Sequence, residues 1–219
     1  MNDQLILKFP PNKVYKKEDY YVSSSNQEAY DFINSWPRWI KRIVNIFGPS
    51  GSGKSHLAHI LKNKTSCLQI NCKEIDDRTY LKFKTKEALI IENVDEKISE
   101  ELLFSLWNIA LQDNKYLLIT SRRAINLYKF KLKDLKSRVN SSLTIGINLP
   151  SDDLISVILA KNFSDKQIKV QKKHIDYIIK RIDRSYEKIS QFILTLDKYS
   201  LKKGSPFSLK LIKEVLKMI

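Results

Sequence analysis

The sequence predicts an α/β domain, with a mostly parallel sheet between layers of helices, followed by a small all-helical domain. Three observations lead to this prediction. Short apolar, β-branched runs alternate with amphipathic helical stretches as far as Ile147. One of these runs, at residues 43–47, leads into a glycine-rich loop and then into a helix. After Pro150, every periodic stretch has the spacing of a helix.

Composition places the chain among folded globular proteins. It has 219 residues, of which 42% are apolar, a share typical of such proteins. That length suits one large domain, or a medium domain with a small companion. We expect a cytoplasmic protein without membrane contact, because the sequence shows neither a signal peptide nor a membrane-spanning apolar run. Cys67 and Cys72 are expected to be reduced core thiols.

The formal net charge of +15 invites a nucleic-acid interpretation. The lysines, however, are spread along the whole chain among many isoleucines and asparagines. No arginine-rich stripe or basic tail concentrates the charge. We therefore expect any DNA contact to be weak or indirect, and sensitive to salt.

A short motif stands near the N-terminus. Gln4, Leu5, Leu7 and Phe9 lie in a Q-x-x-L-x-F pattern that is followed by two prolines. An extended peptide of this kind can insert its leucine and phenylalanine into an apolar pocket. The pattern resembles the peptide that binds the bacterial sliding clamp, and the alternative is an edge strand or a tail. The two prolines are expected to end any strand and leave the peptide mobile.

The glycine-rich loop carries the main candidate site. Residues 48–55 fit the P-loop pattern G-x-x-x-x-G-K-[ST]. Gly51 and Gly53 let the backbone turn and aim N–H groups at phosphate oxygens near a helix N-terminus. Lys54 is expected to reach the β- and γ-phosphates and Ser55 to ligate Mg²⁺, so the predicted cofactors are ADP or ATP with Mg²⁺. The candidate nucleotide-binding residues of this segment are Gly48, Pro49, Ser50, Gly51, Ser52, Gly53, Lys54, Ser55 and His56.

The remaining elements follow from apolar periodicity. The polar entry segment contains Tyr20 and Tyr21, which suit base stacking and ordinary packing equally well. The predicted strands are residues 43–47, 67–70, 88–91, 116–119 and 143–147, with helices at 26–35, 55–63, 100–111 and 131–139.

Polar residues at two strand ends extend the candidate site. Glu92 follows the third predicted strand, where P-loop ATPases carry an acid that helps hold Mg²⁺. The next residue, Asn93, cannot accept a proton, so we expect weak self-catalysed hydrolysis; Asp95 would compensate only if the loop bent back. Ser121 follows the fourth predicted strand, where a polar side chain could sense the γ-phosphate.

The pattern changes at Leu149-Pro150-Ser151. Proline stops the last strand, and Ser151 can cap a new helix. Apolar sets at helical spacing follow, which predicts a helical bundle. The expected domains are an N-terminal extension (1–19), a nucleotide-binding domain (20–149) and a helical lid (150–219).

Together these features resemble a known family. An αβα P-loop domain followed by a small helical lid is the plan of the AAA+ ATPases. The segments GPSGSGKSHLA, LLITSR, DLKSRV and INLPSDDL resemble the DnaA branch of that family, from about residue 20 to the C-terminus. DnaA adds a DNA-reading helix-turn-helix domain after the lid. The expected outline, which lacks that domain and carries the N-terminal peptide, resembles the Hda family of DnaA-related regulators.

The resemblance implies roles for further residues. Lys54 and Ser55 match the family's Walker A residues, and Ser121 falls in its sensor-1 region. Arg138, in Leu-Lys-Ser-Arg, matches the arginine finger; the alternative is an exposed helix arginine. Arg184, in Ile-Asp-Arg-Ser, resembles the sensor-2 arginine; the alternative is a surface ion-pair partner.

The resemblance also implies a function, namely negative regulation of chromosomal replication initiation. Such a protein binds the DNA-loaded DNA polymerase III β sliding clamp and promotes hydrolysis of DnaA-bound ATP with a trans-acting arginine finger. Its own P-loop would hold ADP or ATP. DnaA and the clamp are the expected partners, and self-association is left open. The alternatives are a nucleotide-gated adaptor and a helicase-loader-like ATPase of the same branch.

Overall fold

The computed structural model describes residues 20–165, 168, 170–203 and 208–219, without the side chains of residues 201–203. The candidate clamp-binding residues Gln4, Leu5, Leu7 and Phe9 lie outside this part of the chain. Within it, five strands form one sheet in the order β2-β3-β4-β1-β5, and every pairing is parallel. The strands are β1 (Ile43–Phe47), β2 (Cys67–Asn71), β3 (Ala88–Val94), β4 (Tyr116–Ser121) and β5 (Leu143–Gly146).

Helices cover both faces of the sheet and continue beyond it. The helices are α1 (Gln27–Asn34), α2 (Lys54–Lys62), α3 (Thr79–Lys84), α4 (Glu100–Gln112), α5 (Lys133–Ser141), α6 (Asp152–Asp165), α7 (Lys172–Ile179), α8 (Tyr186–Lys203) and α9 (Leu209–Leu216). The predicted fold class is thus confirmed: a parallel sheet lies between helices, and further helices follow it. Helix α3 was not predicted, because its six residues bury only Thr79 and Phe83.

Side chains along each strand point alternately to the two faces of the sheet, and this divides the core into two layers. Leu89 and Ile91 pack with α3, α4 and α5 on one face of the sheet, whereas Ile90 packs with α1 and α2 on the other. Such alternation follows from the period of two in a pleated strand. Since both faces are covered, β3 and β4 contain continuous apolar runs, at 88–91 and 117–119, although β1 includes the buried Asn45.

Helices α6 to α9 enclose a third apolar cluster of their own, with Phe192 and Ile212 fully buried in it. Cys67 and Cys72 are free thiols, half-buried and buried respectively. In the part of the chain that the structure describes, no helix combines the length and the apolar character needed to cross a membrane.

Three strands, β2, β3 and β4, extend further than predicted, and the longer β3 and β4 move candidate residues. Strand β3 continues to Val94, so Glu92 and Asn93 lie within it rather than after it. A register shift between Ile91 and Val94 forms a bulge there, and Asn93 has a φ of 59°. Strand β4 includes Ser121 as its last residue. The carboxyl ends of β1, β3 and β4 meet at one edge of the sheet, where the glycine-rich loop lies.

Candidate P-loop site

The glycine-rich loop connects β1 to the first turn of α2. Gly51 and Gly53 have φ angles of 79° and 90°, in the left-handed region that glycine adopts without steric cost. A Cβ on Gly48 would lie 2.7 Å from the carbonyl oxygen of Ile147. Gly53 is the N-cap of α2, so the loop presents backbone at a helix N-terminus. This arrangement is a ready-made site for anions.

A cavity of about 360 Å³ opens at this loop. Such a volume lies in the range of small-molecule ligand sites. Its walls combine the loop, the start of α2 and the ends of β3 and β4. The lining residues are Ser50, Gly51, Ser52, Gly53, Lys54, Ser55, His56, Asn93 and Arg122. Backbone N–H groups, two cationic side chains and hydroxyls fit the phosphates of a nucleotide.

Lys54 is held inside the loop. Its ammonium Nζ donates to the carbonyl oxygens of Gly48 and Pro49, each at 2.7 Å, and to Ser52 Oγ at 3.3 Å. Burial, with a smaller contribution from the charge of Arg122, lowers the pKa of Lys54 to about 8. An anionic phosphate in the cavity would favour the charged form, so ligand charge and the lysine proton are coupled.

Arg122 is the site residue that sequence reasoning missed. It directly follows Ser121 at the carboxyl end of β4, and it faces the cavity close enough to Lys54 to affect its pKa. Its neighbour Arg123 instead pairs with Glu96 and lies over the ring of Tyr128. The sequence signal that could have identified it is its position: Arg122 directly follows the end of β4, at the edge of the sheet where the P-loop lies.

Ser121 lies at this edge as expected, but its hydroxyl is fully buried. It accepts from Asn45 Nδ2 at 2.9 Å and donates to the carbonyl of Arg123 at 2.6 Å. Asn45 also donates to the carbonyl of Ile119 at 3.1 Å and accepts from the backbone N–H of Ile125 at 3.0 Å. The Ser121 side chain therefore ties β1 to the segment after β4 and does not line the cavity.

Magnesium fits these residues less well than a nucleotide does. The Glu92 carboxylate accepts a hydrogen bond from Gln69 on β2, on the side of β3 away from β1. The bulge brings Asn93, rather than Glu92, to the cavity wall. Among the described residues, no carboxylate lines the cavity, and no group of three His, Cys, Asp or Glu side chains is placed to share a metal ion. A magnesium site at Ser55 and Glu92 stays a prediction that this geometry does not support.

Arg184 and the start of α8 approach the loop differently. Arg184 is exposed and pairs with Asp152 at the start of α6, with Nη2 3.0 Å from Oδ1. It is not among the residues that line the cavity. Tyr186 instead contacts the loop: a Cβ on Gly51 would lie 3.0 Å from Tyr186 Cβ. The Tyr186 hydroxyl donates to the carbonyl of Asn148 at 3.2 Å.

Tyr20 packs against the loop at Gly53. Its ring stacks on Tyr30, with centroids 5.5 Å apart, and meets His56 edge-on at 5.2 Å. A Cβ on Gly53 would lie 2.8 Å from Tyr20 Cε2. Of the two alternatives for Tyr20, the structure shows packing within the chain. Burial raises the pKa of its hydroxyl.

Arg138 lies in the last turn of α5, half-buried and outside the cavity lining. Its guanidinium carbon lies 4.9 Å above the centre of the Phe104 ring on α4. The structure therefore brings Lys54, Ser55, His56 and the loop glycines together. Glu92, Ser121, Arg138 and Arg184 each have other contacts.

No protein-family model matches the chain. It is similar to the chromosomal replication initiator protein DnaA of Campylobacter jejuni, with 25% identity over 235 aligned positions that cover 94% of this chain and 53% of that protein. DnaA of Buchnera aphidicola is 24% identical, with coverage of 100% and 56%. The chain thus spans about half the length of the curated relatives it matches.

Solved structures agree with the sequence similarity. Domain III of the Thermotoga maritima replication initiation protein DnaA matches with a TM-score of 0.78 and 19% identity, covering 95% of this chain and 98% of that domain. The chain is a DnaA-related AAA+ protein. Its homology to DnaA is distant, and the structural likeness at this identity concerns the fold alone.

In this DnaA-related chain, the residue after Glu92 is Asn93, a neutral amide. Asn93 lines the cavity with its φ of 59°, whereas Glu92 is hydrogen-bonded to Gln69. The side chains that this cavity offers to a ligand are thus the Asn93 amide, serine hydroxyls, the His56 imidazole and the cationic Lys54 and Arg122. These groups can bind and orient phosphates, but the amide cannot act as a general base.

Proposed function

We propose that this chain is an Hda-like negative regulator of chromosomal replication initiation. It holds ADP or ATP in its own P-loop cavity and promotes hydrolysis of the ATP bound to DnaA. Residues 4–9, in an N-terminal extension of residues 1–19, bind the DNA-loaded sliding clamp. A nucleotide-binding domain (20–149) and a helical lid (150–219) make up the rest. Distant homology to DnaA supports a partner of the same architecture.

The position of Arg138 carries the proposal. Its guanidinium lies over Phe104 and outside the cavity of its own chain. An arginine finger stabilises charge on a transferring phosphoryl group and can be supplied by a neighbouring molecule, with an effect of about 10³–10⁵ on the rate. An arginine that is packed on a ring and half exposed is pre-organised for such a role.

Hydrogen bonds hold the start of α5, the helix that carries Arg138, against α4. The Glu100 carboxylate at the start of α4 accepts from the backbone N–H of Leu132 at 2.7 Å and from that of Lys131 at 2.9 Å. These bonds, that of Leu132 foremost, lower the pKa of Glu100, so the carboxylate stays ionised at neutral pH. Helix α5 therefore begins at a fixed position relative to α4, and Arg138 follows from its last turn.

Asn93 supports retention of the chain's own nucleotide. It lines the cavity, and its amide cannot activate water as a general base would. A regulator that keeps its nucleotide can use that nucleotide to fix the angle between the nucleotide-binding domain and the lid. Tyr186 of the lid contacts the P-loop at Gly51. Attachment to the clamp would raise the local concentration near DnaA and couple the activity to ongoing replication.

The test measures ATP hydrolysis by DnaA with this protein, loaded clamp and DNA, against the omission of each. We expect stimulation that needs the clamp and disappears on deletion of residues 1–9. Arg138→Ala should abolish it. Lys136→Ala, on an exposed position of the same helix, is the matched control and should leave it intact. Full stimulation by Arg138→Ala would reject the arginine finger.

The cavity also favours a second candidate, a nucleotide-gated adaptor that recruits another protein to DNA. The observation behind it is a lining whose groups suit phosphates and whose Asn93 amide cannot serve as a base. An adaptor would need Lys54 but not Arg138. Absence of any stimulation of DnaA, together with intact nucleotide binding, would favour this candidate.

A further inference from the structure

The charge of the P-loop cavity differs from what a Mg²⁺–nucleotide complex needs. Lys54 and Arg122 both line the cavity, and over the described residues no carboxylate does so. Mg²⁺ in nucleotide sites is usually held by one or two carboxylates together with substrate phosphates. Here a divalent ion would enter a cavity that is already cationic, without an acidic side chain on its wall.

The expected magnesium ligand has another partner. Glu92 accepts a hydrogen bond from Gln69, which lies on β2, while β4 separates β3 from the P-loop strand β1. The β3 bulge places Asn93 at the wall instead, and its amide carries no charge to attract a cation. The polar atoms of the site therefore favour an anion without its metal.

Arg122 is placed to supply the missing counter-charge. It lines the cavity together with the loop residues, and within the described residues it has no ion-pair partner. A guanidinium presents a planar fork of donors that matches two phosphate oxygens. Lys54 lines the same cavity, and burial, followed by the charge of Arg122, lowers its pKa. Two cationic side chains are thus placed to meet an anion.

We propose that this cavity binds its nucleoside di- or triphosphate without Mg²⁺, and that Arg122 contacts the terminal phosphate in place of the metal. The inference rests on the proposed nucleotide binding. Arg122 then determines affinity for the charged end of the ligand, while Lys54 and the loop N–H groups hold the rest of the phosphate chain.

The experiment measures the Kd of fluorescent ADP and ATP analogues for the full chain, in excess MgCl₂ and in excess EDTA. We expect the two Kd values of the wild-type protein to differ by less than about threefold for each nucleotide. Arg122→Ala should weaken binding by about 10- to 100-fold in EDTA, as expected for loss of a charged hydrogen-bonded contact. Arg122→Lys, which keeps the charge, should restore part of the loss.

Arg123→Ala is the matched control, since Arg123 is the adjacent arginine and pairs with Glu96 outside the cavity. It should bind like wild type. Binding that is lost in EDTA, or an Arg122→Ala variant that binds like Arg123→Ala, would overturn the inference. Lys54→Ala distinguishes failure of the metal-free inference from failure of the proposed nucleotide binding. If Lys54→Ala binds nucleotide like wild type, the cavity is not the nucleotide site, and both the inference and the proposed nucleotide binding are rejected.

Discussion

The guanidinium of Arg138 lies 4.9 Å above the ring of Phe104, and this contact joins the last turn of α5 to α4. Phe104 is itself half-buried and packs against the core cluster that contains Leu103 and Trp107. The Phe104 side chain therefore contacts both the core cluster and Arg138. The contact with Phe104 therefore fixes the orientation of the Arg138 side chain at the surface.

Replacement of Phe104 by leucine tests this arrangement. Phe104→Leu keeps an apolar side chain on the core but removes the aromatic ring, whose interaction with a cation is worth about 0.5–1 kcal/mol at exposed sites. We expect the free energy of unfolding to change by about 1 kcal/mol or less. Stimulation of DnaA ATP hydrolysis should fall by up to about fivefold. Urea unfolding and the coupled hydrolysis assay measure the two effects.

A second cation–π pair provides the control for this variant. Arg181 lies 3.8 Å from the ring centre of Tyr177, in the helical region. Tyr177→Leu removes a contact of the same kind away from α5 and should leave the stimulation unchanged. If Phe104→Leu stimulates DnaA like the Tyr177→Leu control, the Phe104 ring does not position Arg138.

Gly53→Ala should destabilise the chain for two separable reasons. Its φ of 90° costs a residue with a Cβ about 1–2 kcal/mol, and the added Cβ would lie 2.8 Å from Tyr20 Cε2. In a Tyr20→Leu background the ring is absent, so we expect only the backbone cost to remain. Urea unfolding of the four proteins of this cycle measures the coupling. Equal costs in both backgrounds would show that Tyr20 does not restrict the loop.

Ser121→Ala should affect folding more than nucleotide binding. The change removes a hydrogen bond from Asn45 and one to the carbonyl of Arg123, all inside the protein. We expect a loss of about 1–3 kcal/mol in the free energy of unfolding, with the nucleotide Kd changed by less than about twofold. The opposite result, normal stability with much weaker ATP binding, would assign Ser121 the sensor role that its position in the sequence implies.

The sequence predicted the parts of the site that depend on local patterns. Glycine spacing placed the loop, and β-branched runs placed all five strands, because these features act over a few residues. Local patterns did not predict which side chains at the strand ends face the cavity. A bulge at Asn93 shifts the alternation of β3, and Arg122 faces the cavity only because Ser121 before it points inward. Both outcomes depend on contacts between strands far apart in sequence.

Nucleotide affinity should fall as the pH rises through 8. The pKa of Lys54 is lowered to about 8 by burial and by Arg122, and a bound phosphate raises it again because it favours the ammonium. Above pH 8 the free protein must take up a proton to bind, so at pH 9 the Kd should be about tenfold higher than at pH 7. The other ionisable side chains that line the cavity are Arg122 and His56. Lys54→Arg keeps a permanent charge and should flatten the pH profile. Titrations with a fluorescent nucleotide at each pH measure both profiles, and a wild-type Kd that stays constant from pH 7 to pH 9 would contradict the coupling.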